Sequence, residues 1–211
     1  MHRYWSRRDV LRQCLAAGVL VAPAGWGEAE ALFAWFDAQQ AKRDPTPQVE
    51  MGPFYKRRAP ASTMLRTAAD KGTPLTVSGR VITVNGDAVP NATIEVWQAD
   101  DDGLYDLDGY RFRASIVPGA SGRYAFESVM PGHYPARVAR HVHYFVTAPG
   151  HKTLSTQLYF ATDEVFEADP DKNFTKDPLI TSRTLVRPVT LTGQPTAALA
   201  KVEFELVLEK A

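Results

Sequence analysis

The chain holds a single cysteine, Cys14, among 211 residues. One thiol cannot close an internal disulfide, and it excludes zinc and iron–sulfur sites built from cysteine. Net charge is also missing, because 24 Lys and Arg are balanced by 24 Asp and Glu. A balanced chain gives no electrostatic reason to expect nucleic acid as a partner. The apolar stretch at residues 14–24 is too short to span a bilayer. Long internal repeats and low-complexity segments are absent. What remains, 45% hydrophobic and 23% charged, is the composition of a globular protein with a real core. Any metal must be held by histidine, tyrosine, aspartate or glutamate.

The N-terminus reads as an address. Arg7 and Arg8 are adjacent, and Val10, Leu11 and the Ala-, Val-, Leu- and Gly-rich stretch follow them. This is a basic region ahead of an apolar region of signal-peptide length. The arrangement Ser6-Arg-Arg-x-x-Leu-Arg12 resembles a twin-arginine export signal. It implies the twin-arginine translocation machinery as a partner during export, and a periplasmic or secreted destination. Small residues place cleavage after Ala24 or after Ala31. Arg12 and Gln13 precede Cys14 where a lipid-anchor motif wants small residues. Cleavage after Ala24 would remove four arginines, one aspartate and the only cysteine, leaving 20 basic against 23 acidic residues. The working protein would then be mildly acidic and free of thiols.

Three domains are expected: the export signal at residues 1–31, a short helix and extended arm at 32–74, and a catalytic β-domain at 75–211. Leu32, Phe33, Trp35 and Phe36 cluster within a helix-like stretch that Asp44-Pro-Thr-Pro47 ends. Residues 48–74 contain several prolines and little periodicity. Strand-like runs follow at 76–84, 93–98, 111–117, 123–129, 141–147, 154–160, 184–191 and 201–208. Turn signals such as Asn85-Gly-Asp87, Pro118-Gly119, Pro131-Gly132 and Pro149-Gly150 separate several of them. About eight short strands without helical alternation predict an all-β fold, an antiparallel β-sandwich with long loops.

The chemistry concentrates in one window. Four of the five histidines fall between His133 and His151. The period of a strand puts His141 and His143 on one face and Val142 on the other. Two neutral imidazoles aimed into one space are half of a metal site, but cupins and copper sites share this spacing, so it names no metal. His133 and His151 fall in the turns at either end and are not counted as ligands. No carboxylate is obvious nearby as a third ligand; Tyr134 lies seven residues before His141 and Tyr105 follows Trp97-Gln-Ala-Asp-Asp-Asp-Gly-Leu, although a buried tyrosine ordinarily fills core space.

In order along the chain, several segments resemble the intradiol ring-cleaving dioxygenases, the family of catechol and protocatechuate dioxygenases. They are Glu50-Met-Gly-Pro-Phe-Tyr55, Val77-Ser-Gly-Arg-Val81, Asn85-Gly-Asp-Ala-Val-Pro90, and Ile94-Glu-Val-Trp-Gln-Ala-Asp100 with Gly103-Leu-Tyr105. Gly122-Arg-Tyr-Ala-Phe126, Pro131-Gly-His-Tyr-Pro135, His141-Val-His143 and Thr156-Gln-Leu-Tyr-Phe160 complete them. Each is modest alone; their joint order is specific.

The resemblance implies Fe(III) bound by Tyr105, Tyr134, His141 and His143, with no organic cofactor. Two phenolates and a hydroxide would cancel the three charges of the ion, which suits a buried site. It implies cleavage of a catechol-type ring between its hydroxylated carbons with O2, giving a muconate-type diacid. Tyr134 would leave the metal as substrate binds and take a substrate proton, while Tyr105 stays. Gln157 would support the site, and Tyr55 would line the substrate mouth. One departure stands out. The family's arginine lies three residues before the first histidine, where this chain has Val138. A one-residue insertion gives the role to Arg137. Arg140, next to His141, should point away from the metal face unless the strand is bulged. The Gly-x-Tyr-x-Phe and Pro-Gly-x-Tyr pieces also occur in prealbumin-like and carboxypeptidase-regulatory-like modules, so a non-catalytic binding module is the alternative. A copper protein would need further His or Met ligands. Family members often assemble, and the sequence leaves the oligomeric state open.

Overall fold

The computed structural model describes residues 42–134, 137–194 and 198–211. The expected leader and nearly all of the expected helix fall outside the described residues. Ten strands form among those residues: β1 (Pro74–Thr83), β2 (Thr93–Trp97), β3 (Arg113–Ile116), β4 (Arg123–Val129), β5 (His141–Thr147), β6 (Leu154–Phe160), β7 (Val186–Arg187), β8 (Thr190–Thr192), β9 (Leu199–Glu203) and β10 (Leu206–Leu208). The first sheet runs β3-β2-β5-β6-β7. In the second, β1 is flanked by β4 on one side and by β9 and β10 on the other, with β8 beyond β9. The inward residues of both sheets, among them Val77, Phe126, Val96, Val142 and Leu158, join one hydrophobic cluster.

Both sheets are mixed, which corrects the expectation of a purely antiparallel fold. β1 pairs in parallel with β9 and β10, and β6 pairs in parallel with β7. Two expected strands are also split. The run at 184–191 breaks at Pro188, which cannot donate to a ladder. Its first half becomes β7 in the first sheet and its second half β8 in the second. The run at 201–208 breaks at Phe204 and Glu205 although its register against β1 is unchanged, Ser78 facing Glu203 and Val81 facing Leu206. There the Phe204 carbonyl packs directly on Gly79 and accepts the Tyr124 hydroxyl at 2.6 Å.

The arm at residues 42–73 has no strand of its own, yet it ties into both sheets. Arg43 donates a backbone hydrogen bond to Val84 just past β1, Thr46 donates to Val207 on β10, and Val49 donates to Ser155 on β6. Ser115 on β3 then accepts from Ser62 and donates to Pro60, and Leu65 donates to Glu127 on β4. The arm therefore crosses the first sheet from its β6 side to its β3 edge. Val49 and Leu65 enter the core, and Lys42–Ala211 is one compact unit. The arm and the strands that follow it from Pro74 thus lie within that one unit.

Between β6 and β7 lies an excursion that sequence patterning did not assign. It contains α1 (Pro170–Asn173) and three single turns of 3-10 helix at Glu164–Phe166, Phe174–Lys176 and Arg183–Leu185. Such short elements leave no periodic trace. Side chains start them: Asp163 accepts from Val165 N, Asp169 from Lys172 N and Ser182 from Thr184 N.

Candidate metal and substrate site

The site stands on the outward face of the first sheet. Cross-strand register places Trp97, His143 and Gln157 side by side, and His141 beside Tyr159. Alternate residues Val142 and Tyr144 point the other way and join the core. β5 is thus buried on both faces, because the arm covers the outer one. Gly52, at φ +70°, passes so close that a Cβ there would lie 3.5 Å from the His143 ring. Phe54 and Tyr55 follow.

Four predicted residues converge. The Nε2 atoms of His141 and His143 lie 3.1 Å apart, and the Tyr105 hydroxyl is 3.5 Å from His141 Nε2. The Tyr105 and Tyr134 rings are 5.6 Å apart and nearly perpendicular, and the Tyr134 ring is 5.9 Å from that of His141. Among the described residues, no group of three or more His, Cys, Asp or Glu converges as a cation site. A metal here must therefore draw on the phenols.

The two tyrosines come from loops that interlock. The Asp100 carboxylate accepts from Asp102 N and Leu104 N, folding the Tyr105 loop, and its carbonyl accepts Gly132 N at 2.7 Å. Gly103 packs on the His133 carbonyl and Gly132 on the Asp101 carbonyl. Gln98, fully buried, bridges the strands behind: it donates to Ala99 O and Val129 O and accepts from Ser128. Its role is structural.

Arg137 reaches the group, and its guanidinium sits in a fixed cage. It donates to Gln157 Oε1 at 3.0 Å, to the Tyr159 hydroxyl at 2.9 Å and to Asp177 Oδ2 at 3.2 Å. Gln157 makes no hydrogen bond to Tyr105, Tyr134, His141 or His143; its oxygen also accepts from the Tyr159 hydroxyl, and its amide donates to Glu50 O. Gln157 thus joins the arm to Arg137. Arg140 turns away, as alternation required, and contacts His133 through Nε at 3.4 Å. His133 pairs with Asp163 at 3.0 Å. His151 bonds back to Pro149 O in its turn.

Tyr55, expected at the substrate mouth, is not brought to the quartet. Its ring rests on Trp97 and Phe145, and its hydroxyl donates to Glu95 at 2.6 Å. Burial, then the Glu95 hydrogen bond, push that phenol up to about 12. Phe54 lines the site instead, stacked on Tyr105 at 4.2 Å and edge-on to Tyr134 at 5.9 Å. Sequence reasoning missed Arg113, Tyr159 and Asp177. Arg113 is buried, donates to Phe54 O and Asp106 O, and lies 5.9 Å from the Tyr105 ring. Only Tyr159 had a usable signal: it alternates with Gln157 along β6 and so shares its face.

The electrostatics suit a cation. Burial, and then the positive charge of Arg137, lower His141 to about 4; burial and His141 hold His143 well below its ordinary value. Both rings are neutral near pH 7. His141 Nδ1 lies 2.8 Å from the Ala139 carbonyl, which places the ring proton there and frees Nε2 as a ligand. His143 Nδ1 is buried without a partner. Burial raises Tyr105 and Tyr134, so both need a strong positive centre to become phenolates. Two neutral nitrogens and two oxygens of this kind fit a hard, highly charged ion.

The buried rings also predict an acid limit for the metal-free protein. The unfolded chain protonates His141 near 6.5, whereas the folded chain resists until about 4. The His141 contribution is therefore full above 6.5, falls as pH drops toward 4, and levels below, while His143 adds to the decline. That window is worth about 3 kcal/mol for His141 alone. Urea unfolding of metal-free protein at several pH values should show the decline, and a flat profile would contradict the buried neutral rings.

Residues 50–210 match the family described as Dioxygenase. A hydroxyquinol 1,2-dioxygenase of Nocardioides simplex is 35% identical over 156 residues, covering 62% of this chain and 52% of that protein. Catechol 1,2-dioxygenase 2 of Acinetobacter lwoffii is 31% identical over 188 residues, covering 74% and 67%. The chain spans about half the length of the hydroxyquinol dioxygenases it matches. The dioxygenase domain of a dioxygenase and carbohydrate-binding protein fusion from Streptomyces sp. SirexAA-E superposes with a TM-score of 0.69 at 35% identity, covering 80% of this chain and all of that one. The 3-chlorocatechol 1,2-dioxygenase of Rhodococcus opacus 1CP shares the fold, with a TM-score of 0.68 at 16% identity and coverages of 97% and 95%.

Proposed function

This chain belongs to the Dioxygenase family, and from that membership we propose that it is an intradiol ring-cleaving dioxygenase. It cleaves a catechol-type ring between the two hydroxylated carbons with O2, giving a muconate-type diacid. The observation that carries the reading is the convergence of Tyr105, Tyr134, His141 and His143 beside Arg137. These four residues would hold Fe(III), whose chemistry there is to activate a chelated catecholate toward dioxygen. A non-catalytic binding module has no use for such a group. The two sheets are read as the leaves of a β-sandwich.

The chain's own residues supply orientation and proton handling. Tyr105 is held face to face by Phe54, whereas Tyr134 meets both rings only edge-on. That asymmetry suits Tyr105 as the permanent ligand and Tyr134 as the phenol that gives way and accepts a substrate proton. Phe54 offers an apolar wall for the substrate ring. Arg137 brings a fixed positive charge toward the place where the substrate becomes anionic, and Gln157 holds Arg137. The arm excludes water from the His143 side. Arg7 and Arg8 support export by the twin-arginine route to the periplasm or beyond, after folding and metal loading. An oligomer is compatible with the reading.

The deciding measurement is a visible spectrum before and after anaerobic addition of catechol. Iron-loaded protein should be burgundy from phenolate-to-iron charge transfer, and catechol should shift the band to the red. A colourless protein holding stoichiometric iron would sink the two-tyrosine assignment.

A further inference from the structure

Asp177 belongs to no pattern in the sequence, yet it is almost completely buried in the excursion between β6 and β7. One oxygen accepts from Arg137 Nη2 at 3.2 Å and from Ala139 N at 3.1 Å; the other accepts from Leu179 N at 3.0 Å. The side chains of both members of the ion pair are nearly inaccessible, 8% exposed for Arg137 and 1% for Asp177. The pair also lies at a strategic point. Arg137 N donates to Tyr134 O at 3.0 Å, and Ala139 lies two residues before His141. The positive charge of Arg137 is felt by Tyr105, Tyr134, His141 and His143 alike. Gln157 and Tyr159 reach Arg137 from the sheet but carry no negative charge to balance it.

We propose that Asp177 is a positioning residue for Arg137, pinning its guanidinium against Gln157 and Tyr159 so that a partly balanced positive charge faces the two phenols. The carboxylate does two things that a neutral acceptor would not. It compensates a cation that is otherwise buried, and it sets how much positive charge the substrate meets. Asp177 touches neither substrate nor metal ligand. Its negative charge also reaches Tyr134 and His141 directly, opposing that of Arg137; its positioning effect passes through Arg137, and this inference rests on the intradiol reading above.

A double-mutant cycle tests it, with wild type, Asp177→Asn, Arg137→Met and the double variant. Asp177→Asn is nearly isosteric. It should lower kcat for catechol by at least about tenfold while KM moves less than about threefold, the signature of a contact that matters after binding. In the Arg137→Met background the same change should alter kcat less than about twofold, because its target is gone. The melting temperature of the metal-free proteins gives a reading that needs no turnover. Arg137→Met alone strands a buried carboxylate and should melt several degrees lower; adding Asp177→Asn should recover part of that loss. An equal fall in kcat in both backgrounds would overturn the proposal, since Asp177 would then act only by capping Ala139 and Leu179. Unchanged kcat in Asp177→Asn would overturn it as well. If wild type cleaves neither catechol nor hydroxyquinol, the intradiol reading fails by itself, and the melting cycle still decides the ion pair.

Discussion

His143→Ala should abolish stoichiometric iron retention and lower catechol turnover by at least about a thousandfold, the scale expected when a group that assembles the reacting centre is removed. The size follows from where His143 sits. Its ring is 2% exposed, lies parallel to Trp97 at 4.7 Å with only 4° between the planes, and is roofed by Gly52. No other imidazole, carboxylate or thiol among the described residues is poised to replace it. A ligand donated from so rigid a stack is preorganised, and a water in the vacated space would lack both its orientation and its basicity. Stability should respond differently. The ring is neutral when folded and its Nδ1 has no partner, so its removal from metal-free protein deletes contacts without stranding a charge. The expected loss is about 1–3 kcal/mol, the range for a buried side chain truncated without a charge defect. Metal analysis after desalting, alongside the visible band and a urea curve, separates the two effects. Colour and turnover surviving in His143→Ala would mean that the metal is held elsewhere.

The contrast between loss of metal and retention of fold reflects how the site was legible in the sequence. The histidines could be placed from sequence alone because strand period is local: two residues apart on β5 means one face. The tyrosines could not. Nothing between Tyr105 and Tyr134 states that their loops interlock, and only resemblance to a family paired them. The resemblance pointed to Tyr55, whereas its neighbour Phe54 stacks on Tyr105 and Tyr55 turns to Glu95. Arg137 was reached by counting an insertion, whereas its partner Asp177 lies forty residues away in a stretch without pattern. Parallel pairing of β1 with β9 and β10 was equally invisible, because it joins residues about 125 apart and no turn signal records it. The turns between consecutive antiparallel strands were legible because their chemistry is written in adjacent Gly, Pro and Asn residues.

The interlocked loops give the second large effect. Gly103→Ala should destabilise the protein by about 3–5 kcal/mol, from backbone strain added to a steric displacement. Gly103 has φ +81°, a region where an L-side chain is strained, and its missing Cβ points at the His133 carbonyl carbon and oxygen. A backbone carbonyl cannot swing aside as a side chain can, so one loop must move off the other. The movement has a direction. His133 precedes Tyr134 and Gly103 precedes Tyr105 by two residues, so parting the loops parts the two phenols now 5.6 Å apart. Iron retention should fall in the folded fraction as well, with a weaker visible band per molecule of folded protein. Gly119→Ala is the matched control, because no atom lies within 4 Å of a Cβ built there; it should be nearly neutral. Thermal melting of both metal-free variants checks the strain, and the visible band at matched folded concentration checks the geometry. A Gly103→Ala protein that melts with wild type would show that the loops do not meet at this contact, and the spacing of the phenols would then need another cause.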